Sequence, residues 1–142
     1  GPSAATSTAI TQPPSDPALA EEINTARQTA KALADDLGTE GVVELLEAFV
    51  TDTPLRLAEL VRLAAGTDFI TLRRSAHSLK GSFALFGFFH LEAAALEIEI
   101  AASESRPDGQ LAASAALEAR FQQLFPQVRQ LVEEFRSSPP MT

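Results

Sequence analysis

The chain has 142 residues, enough for one domain, and 45% of them are hydrophobic, so it can bury a substantial core. Its net charge of -8 argues against nucleic-acid binding, because phosphate backbones are bound by basic surfaces. The absence of cysteine excludes disulfides and thiolate chemistry and fits a reducing compartment such as the cytoplasm. No apolar stretch approaches the roughly 18 residues of a membrane span, and no signal peptide is evident, so we expect no membrane partner.

The two ends of the chain have the composition of tails. Residues 1–15 are rich in Ser, Thr, Ala and Pro, which predicts a disordered segment, and Gly1-Pro2-Ser3 is typical of the scar left when an expression tag is cleaved. Residues 137–142 have no helical pattern and are predicted as a second tail. The domain is therefore expected over residues 16–136.

The first half of this domain is predicted to be helical with one interruption. Asp16-Pro17 has the pattern of a helix start, with Asp as the cap and Pro at the first helical position. We expect this helix to run to about Asp36 and to be broken over residues 37–41, which contain two glycines. A second helix follows with apolar residues at helical spacing, and Thr53-Pro54 marks either a new start or a kink in it.

Three more elements follow, and the first of them carries His77. Thr67 or Asp68 suits its amino-terminal cap and Gly87 its carboxyl end, which predicts a helix over about 69–86. A helix over about 88–105, a turn at 106–109 and a last helix over about 110–136, with Pro126 as a kink, complete the chain. The predicted fold is all-α, an antiparallel up-and-down four-helix bundle with one or two accessory N-terminal helices.

The His77 helix has two distinct faces. Its predicted buried stripe repeats at intervals of three and four residues: Leu72, Ala76, Leu79, Phe83 and Phe86. The adjoining stripe contains a single imidazole with cationic and small neighbours: Arg73, His77, Lys80, Gly81 and Ala84. Cationic neighbours would favour an uncharged imidazole, whose free nitrogen lone pair can attack phosphorus. A glycine inside a helix costs about 0.5–1 kcal/mol relative to alanine, so Gly81 suggests the close approach of another molecule.

Other interpretations of His77 fit the sequence less well. A metal site would need a second ligand three or four residues away, where Lys80 and Gly81 stand instead. Three serines lie close to His77 in sequence, but no oxyanion hole or nucleophile elbow is indicated. No ATP-binding motif is present, so the chain is not expected to phosphorylate itself. An incidental histidine in a non-catalytic helical adaptor remains an alternative.

At these residues the sequence resembles the histidine phosphotransfer (HPt) family of two-component signalling. The family pattern is His-x-Leu-Lys-Gly-Ser with a Gly ten residues after the His, and this chain has His77-Ser78-Leu79-Lys80-Gly81-Ser82 and then Gly87. The resemblance covers about residues 35–136 and implies a four-helix bundle with an exposed, phosphorylatable His77.

A narrower resemblance is to the phosphoacceptor (P1) domain of CheA-type chemotaxis kinases. Phe86-Gly87-Phe88 is similar to the Phe-Gly-Phe that follows the same motif in those domains. They also carry a Glu twenty-two positions after the His, which is Glu99 here, and commonly a second His nineteen positions after it, which is Leu96 here. A free-standing HPt phosphorelay intermediate is the alternative setting for the domain.

The resemblance implies a role for each residue of the site. His77 would accept a phosphoryl group from a histidine kinase catalytic domain and pass it to an aspartate of a response-regulator receiver domain. Lys80 would neutralise phosphate charge and Glu99 would orient the imidazole. The partner would contact Arg73, Arg74, Gly81 and Ala84. No metal or cofactor is expected on this chain, because the receiver would supply Mg²⁺.

Overall fold

The computed structural model describes residues 16–137, which form four helices: α1 (Pro17–Ala64), α2 (Phe69–Phe86), α3 (Phe89–Ser103) and α4 (Pro107–Arg136). Each helix packs against two others, in the cyclic order α1, α2, α3, α4 and back to α1. Short connections between α2, α3 and α4 make these neighbours antiparallel, so the predicted all-α four-helix bundle is confirmed. None of the helices within residues 16–137 is both long and apolar enough to cross a membrane. Of the tails predicted at 1–15 and 137–142, only Ser137, the C-cap of α4, is among the described residues.

Helix α1 consists of the two helices predicted for this region, which join at a kink at Gly38. It begins at Pro17, where the Oδ1 atom of Asp16 accepts the N–H of Ala18 at 2.9 Å. Its only residue with non-helical backbone angles is Gly38, at φ 78° and ψ 162°. The break predicted over 37–41 is therefore confined to one glycine, which adopts this conformation without the steric cost of a Cβ. Pro54 lies inside α1 and does not start a new helix.

The segment of α1 before Gly38 is the accessory N-terminal helix of the prediction. The guanidinium of Arg27 makes two hydrogen bonds of 2.9 Å to the carboxylate of Glu134 on α4. The buried carboxylate of Glu22 accepts the N–H of Leu91 in the first turn of α3 at 2.9 Å. This segment thus connects α4 with the start of α3.

The ends of α2 agree with the sequence prediction. Asp68 caps the first turn by accepting the N–H of Thr71 at 3.1 Å. At the other end Gly87 is left-handed, with φ 79°, and the N–H of Phe88 reaches the carbonyl of Phe83 at 2.9 Å. This is a Schellman arrangement, which satisfies carbonyls that the helix end would leave unpaired. The predicted buried stripe of α2 is also buried in the structure.

The last two helices have slightly different bounds from those predicted. Helix α3 ends at Ser103 and not at 105. Helix α4 begins at Pro107, so the residues predicted as a turn over 107–109 form its first turn. A proline at the first helical position loses no hydrogen bond, because that N–H has no partner inside the helix anyway.

Candidate functional site

His77 lies on the outer face of α2, and 68% of its side chain is exposed. Its neighbours Ala76 and Leu79 are buried against the rest of the bundle, which fixes the rotation of the helix and turns the imidazole toward solvent. The Nδ1 atom of His77 is 3.0 Å from Oε2 of Glu99 on α3. The ring is therefore both accessible and held at one nitrogen.

Glu99 bonds to a second residue of the motif at the same time. Its Oε1 atom accepts a hydrogen bond of 2.7 Å from the ammonium of Lys80, and its side chain is only 16% exposed. The hydrogen bond from Lys80, assisted by that from His77, lowers the pKa of the Glu99 carboxyl below its ordinary value, although partial burial opposes the change. Glu99 is thus ionised at neutral pH.

The ionised carboxylate determines which nitrogen of His77 carries the proton. A carboxylate can only accept hydrogen bonds, so the contact with Glu99 requires a proton on Nδ1. In a neutral imidazole the other nitrogen, Nε2, then has a free lone pair. Because His77 is largely exposed, this lone pair is available to an electrophile from outside the bundle.

Comparisons with known proteins found a matching family model and a similar solved structure. The Hpt domain family model matches residues 44–138, well over half of the chain. The chain belongs to the Hpt domain family. A search of the curated proteins found no match. A solved structure from rice, assigned as a histidine-containing phosphotransfer protein, is similar with a TM-score of 0.65 and 22% identity, covering 96% of this chain and 100% of its own. At that identity the likeness concerns the fold.

Membership of the family gives the general activity of this Hpt domain. It acts in histidine phosphotransfer in two-component signalling, in which Hpt domains pass a phosphoryl group to response-regulator receivers. Among residues 16–137 there is no cluster of three or more His, Cys, Asp or Glu side chains that could hold a metal ion.

The cationic residues expected near His77 have different positions in the Hpt domain. Arg73 and Arg74 are exposed and line an open hollow of about 550 Å³ together with His77, Ser78 and Ile70. Lys80 instead bonds to Glu99, on the Nδ1 side of the imidazole. The two arginines thus share one hollow with His77 and Glu99, whereas Lys80 bonds to the Glu99 carboxylate.

Gly81 and Ala84 leave the surface next to His77 open. Both are exposed, and a Cβ atom built on Gly81 would have no heavy atom within 4 Å outside its own helical turn. Nothing in the described fold therefore requires glycine at this position. The space in front of Gly81 is available to a partner.

Sequence reasoning missed the contribution of α1 to this region. Arg56 donates to the hydroxyl of Ser82 at 3.0 Å and also to that of Ser78, the residue after His77. The four-residue spacing of the two serines was visible in the sequence, but nothing there indicated which residue of α1 would face them. Leu96, at the position where chemotaxis kinases commonly have a second His, is exposed, and His90 is paired with Glu21 at 3.6 Å.

Proposed function

We propose that His77 is the phosphorylated residue of this Hpt domain and that it reacts through Nε2. The observation that carries the proposal is the 3.0 Å contact between Nδ1 and an ionised Glu99 on a ring that is 68% exposed. Glu99 holds Nδ1, and Nε2 is left free. A nucleophile that attacks a phosphoryl group on a partner protein needs such a free, accessible atom.

The reaction consists of two transfers. The Nε2 lone pair of His77 attacks the γ-phosphorus of ATP on a histidine kinase catalytic domain, the bond to the β-phosphate oxygen breaks, and ADP leaves. A carboxylate oxygen of the receiver's aspartate then attacks the same phosphorus, and the N–P bond returns its electron pair to Nε2. The receiver would supply the Mg²⁺, so this chain contributes the nucleophile and its positioning.

The neighbours of His77 divide into positioning and charge-compensating groups. Glu99 fixes the tautomer of the imidazole and stabilises the positive charge that the ring acquires on phosphorylation. Lys80 keeps Glu99 ionised and in place, and is thus a positioning residue. Arg73 and Arg74, which line the hollow with His77, would compensate phosphoryl charge, while Gly81 and Ala84 would leave room for the partner.

The proposed setting of the domain is the phosphoacceptor part of a CheA-type chemotaxis kinase. Phe86-Gly87-Phe88 and the contact between Glu99 and His77 support it, whereas Leu96 in place of a second His does not. A free-standing phosphorelay protein is the alternative. Mixing this chain with the dimerisation and ATPase domains of a CheA-type kinase distinguishes the two, since only a chemotaxis phosphoacceptor should be labelled efficiently by them.

Labelling with a kinase and radioactive ATP tests the proposed acceptor. We expect acid-labile, base-stable label on the wild type, none on His77→Gln, and full label on the matched control His90→Gln. Label that persists on His77→Gln would refute His77 as the acceptor and would favour a helical adaptor with an incidental histidine.

A further inference from the structure

We propose that Glu22, on the accessory segment of α1 before Gly38, is a positioning residue for the reaction of His77. It acts through α3: by capping the start of this helix, Glu22 keeps Glu99 within hydrogen-bonding distance of the imidazole. The inference rests on the proposed function, because it takes His77 as the acceptor. It gives a task to a segment that lies outside residues 44–138, the region matched by the Hpt family model.

The first turn of α3 is capped from another helix. Its N-cap residue is Phe88, which makes no capping hydrogen bond because a phenyl ring has no acceptor oxygen. The carboxyl group of Glu22 takes this role, since its Oε2 atom accepts the N–H of Leu91 at 2.9 Å. Leu91 is the third residue of α3, and its N–H is one of those that a capping side chain ordinarily bonds. The start of α3 therefore depends on a residue of the accessory segment.

Glu22 is an unusual residue for a helix that only packs against a core. Its side chain has no exposed surface, and its Oε1 atom lies 3.8 Å from Nη1 of Arg120 on α4. Neither of these two atoms has a hydrogen-bond partner within residues 16–137. A carboxyl group buried in this way costs more free energy than an apolar side chain of similar size. Its presence thus favours a role beyond stability.

The accessory segment also contacts the turn between α2 and α3. A Cβ atom built on Gly87 would lie 2.5 Å from Oγ1 of Thr29 and 3.5 Å from Cγ2 of Thr25, so the two threonines are close to the backbone of this glycine. Gly87 ends α2, and Leu91 lies in the first turn of α3. The segment therefore holds the connection at both of its ends, and with it the placement of α3 relative to α2.

This placement joins Glu99 to His77. Their Oε2 and Nδ1 atoms are 3.0 Å apart, and the hydrogen bond is lost if the distance grows to about 3.6 Å. Glu99 is eight residues after Leu91, which is about 12 Å along the helix axis. A shift of α3 by less than 1 Å is therefore enough to release the imidazole, which can then carry its proton on Nε2.

The competing interpretation is that Glu22 only stabilises the fold, and Gln110 offers a matched control for it. Gln110 is also buried, and its Nε2 atom donates to the carbonyls of Ala64 and Gly66 at 3.0 and 3.2 Å. These bonds join the start of α4 to the end of α1 and make no contact with the α2–α3 turn. Removing either buried side chain should lower stability, but only the loss of Glu22 should alter the imidazole.

Two measurements on the full chain test the proposal. Nitrogen NMR of the unloaded protein gives the tautomer of His77, and loading with phosphoramidate, which needs no kinase, gives its reactivity. We expect Glu22→Ala to raise the share of the Nε2–H tautomer and to slow loading about threefold. Glu22→Gln keeps an acceptor for the N–H of Leu91 and should restore loading to within about 1.5-fold of the wild type. Gln110→Ala should change neither quantity.

A double-mutant cycle tests whether the effect passes through Glu99. If it does, the loading rate of Glu22→Ala, Glu99→Gln should be close to that of Glu99→Gln alone. A loss equal to the product of the two single-variant factors would overturn the proposal, because Glu22 would then act independently of Glu99.

Glu22→Asp is the second variant if Glu22→Ala does not fold. Its carboxyl group is one methylene shorter and falls short of the N–H of Leu91, so it should shift the tautomer of His77 in the same direction. An unchanged tautomer ratio in a folded Glu22→Ala or Glu22→Asp, or an equal change in Gln110→Ala, would overturn the proposal. Failure of the wild type to load at His77 would instead refute the proposed acceptor, whereas the tautomer ratio needs no phosphorylation and still tests Glu22.

Discussion

The carboxylate of Glu99 on α3 lies 3.0 Å from Nδ1 of His77 on α2, although twenty-two residues separate them in the sequence. The contact exists because α2 and α3 pack as antiparallel neighbours around the Schellman turn at Gly87. The packing of α2 against α3 thus determines which nitrogen of the exposed imidazole carries the proton.

Glu99→Gln should slow phosphorylation of His77 about tenfold while the fold is retained. The amide oxygen can still accept from Nδ1, but the bond is no longer charge-assisted and the phosphorylated ring loses a counter-charge. Rates of loading by phosphoramidate measure the effect. Nitrogen NMR of the unloaded variant should show a larger share of the Nε2–H tautomer; an unchanged tautomer ratio would contradict the role given to Glu99.

Lys80→Ala should act mainly through Glu99. Without the ammonium the pKa of the Glu99 carboxyl should rise toward its ordinary value, because the hydrogen bond from Lys80 is the largest cause of its lowering. The stability that this carboxylate contributes is present above its unfolded-state pKa and is lost as pH falls through the lower folded-state value. Carbon NMR titration of Glu99 measures the change in pKa.

A double-mutant cycle separates this role of Lys80 from direct contact with phosphate. If Lys80 works through Glu99, the loading rate of Lys80→Ala, Glu99→Gln should be close to that of Glu99→Gln alone. If the loading rate of the double variant falls by the product of the two single-variant factors, Lys80 contacts the phosphoryl group itself.

Gly81→Ala should stabilise the domain and yet impair transfer. The new methyl group meets no heavy atom within 4 Å outside its own turn, and alanine is the better helix former by about 0.5–1 kcal/mol. We expect a higher free energy of unfolding and a several-fold slower transfer to the receiver. A transfer rate equal to that of the wild type would show that no partner approaches here.

Gly87→Ala is the matched control for Gly81→Ala, since it alters the other glycine of the motif. Its Cβ would lie 2.5 Å from Oγ1 of Thr29, and φ is +79°. This variant should lose about 2–4 kcal/mol of stability through backbone strain and overpacking.

Glu22→Gln should flatten the dependence of stability on pH. Burial raises the pKa of the Glu22 carboxyl, an effect partly offset by the N–H of Leu91 and the charges of His90 and Arg120. A raised folded-state pKa means that stability falls as pH rises through it. Urea unfolding between pH 4 and 8 should therefore show a smaller decline for Glu22→Gln than for the wild type.

Glu22→Ala is the control for this variant, because it removes the acceptor for the N–H of Leu91 altogether. It should cost about 1–3 kcal/mol at every pH in the series. An equal pH-dependence in the wild type and Glu22→Gln would show that Glu22 does not titrate in this range.

Helical spacing placed His77 at the edge of the core or beyond it, and the family resemblance implied that it is exposed. Local features of the sequence were sufficient to predict the bounds of α2, a cap at Thr67 or Asp68 and its end at Gly87. These depend on capping chemistry and helical spacing, which are properties of neighbouring residues. The break in α1 was predicted as well, but a glycine pair does not show that the non-helical backbone is confined to Gly38.

The bonding of Lys80 could not be predicted from its own helix. Its spacing from His77 places both on one face of α2, but its partner comes from α3 and depends on how the two helices pack. The contact between Arg56 and Ser78 has the same origin, since it joins α1 to α2. The resemblance to known families indicated that Glu99 contacts the imidazole, whereas it gave no indication that Arg56 would contact Ser78.

The most direct test of the central claim identifies the phosphorylated atom. The chain is labelled with nitrogen-15 in its histidines, loaded with phosphoramidate and examined by nitrogen and phosphorus NMR. We predict coupling of phosphorus to Nε2 of His77, with Nδ1 still protonated beside Glu99. A phosphoryl group on Nδ1 of His77, or on any residue other than His77, would contradict the account.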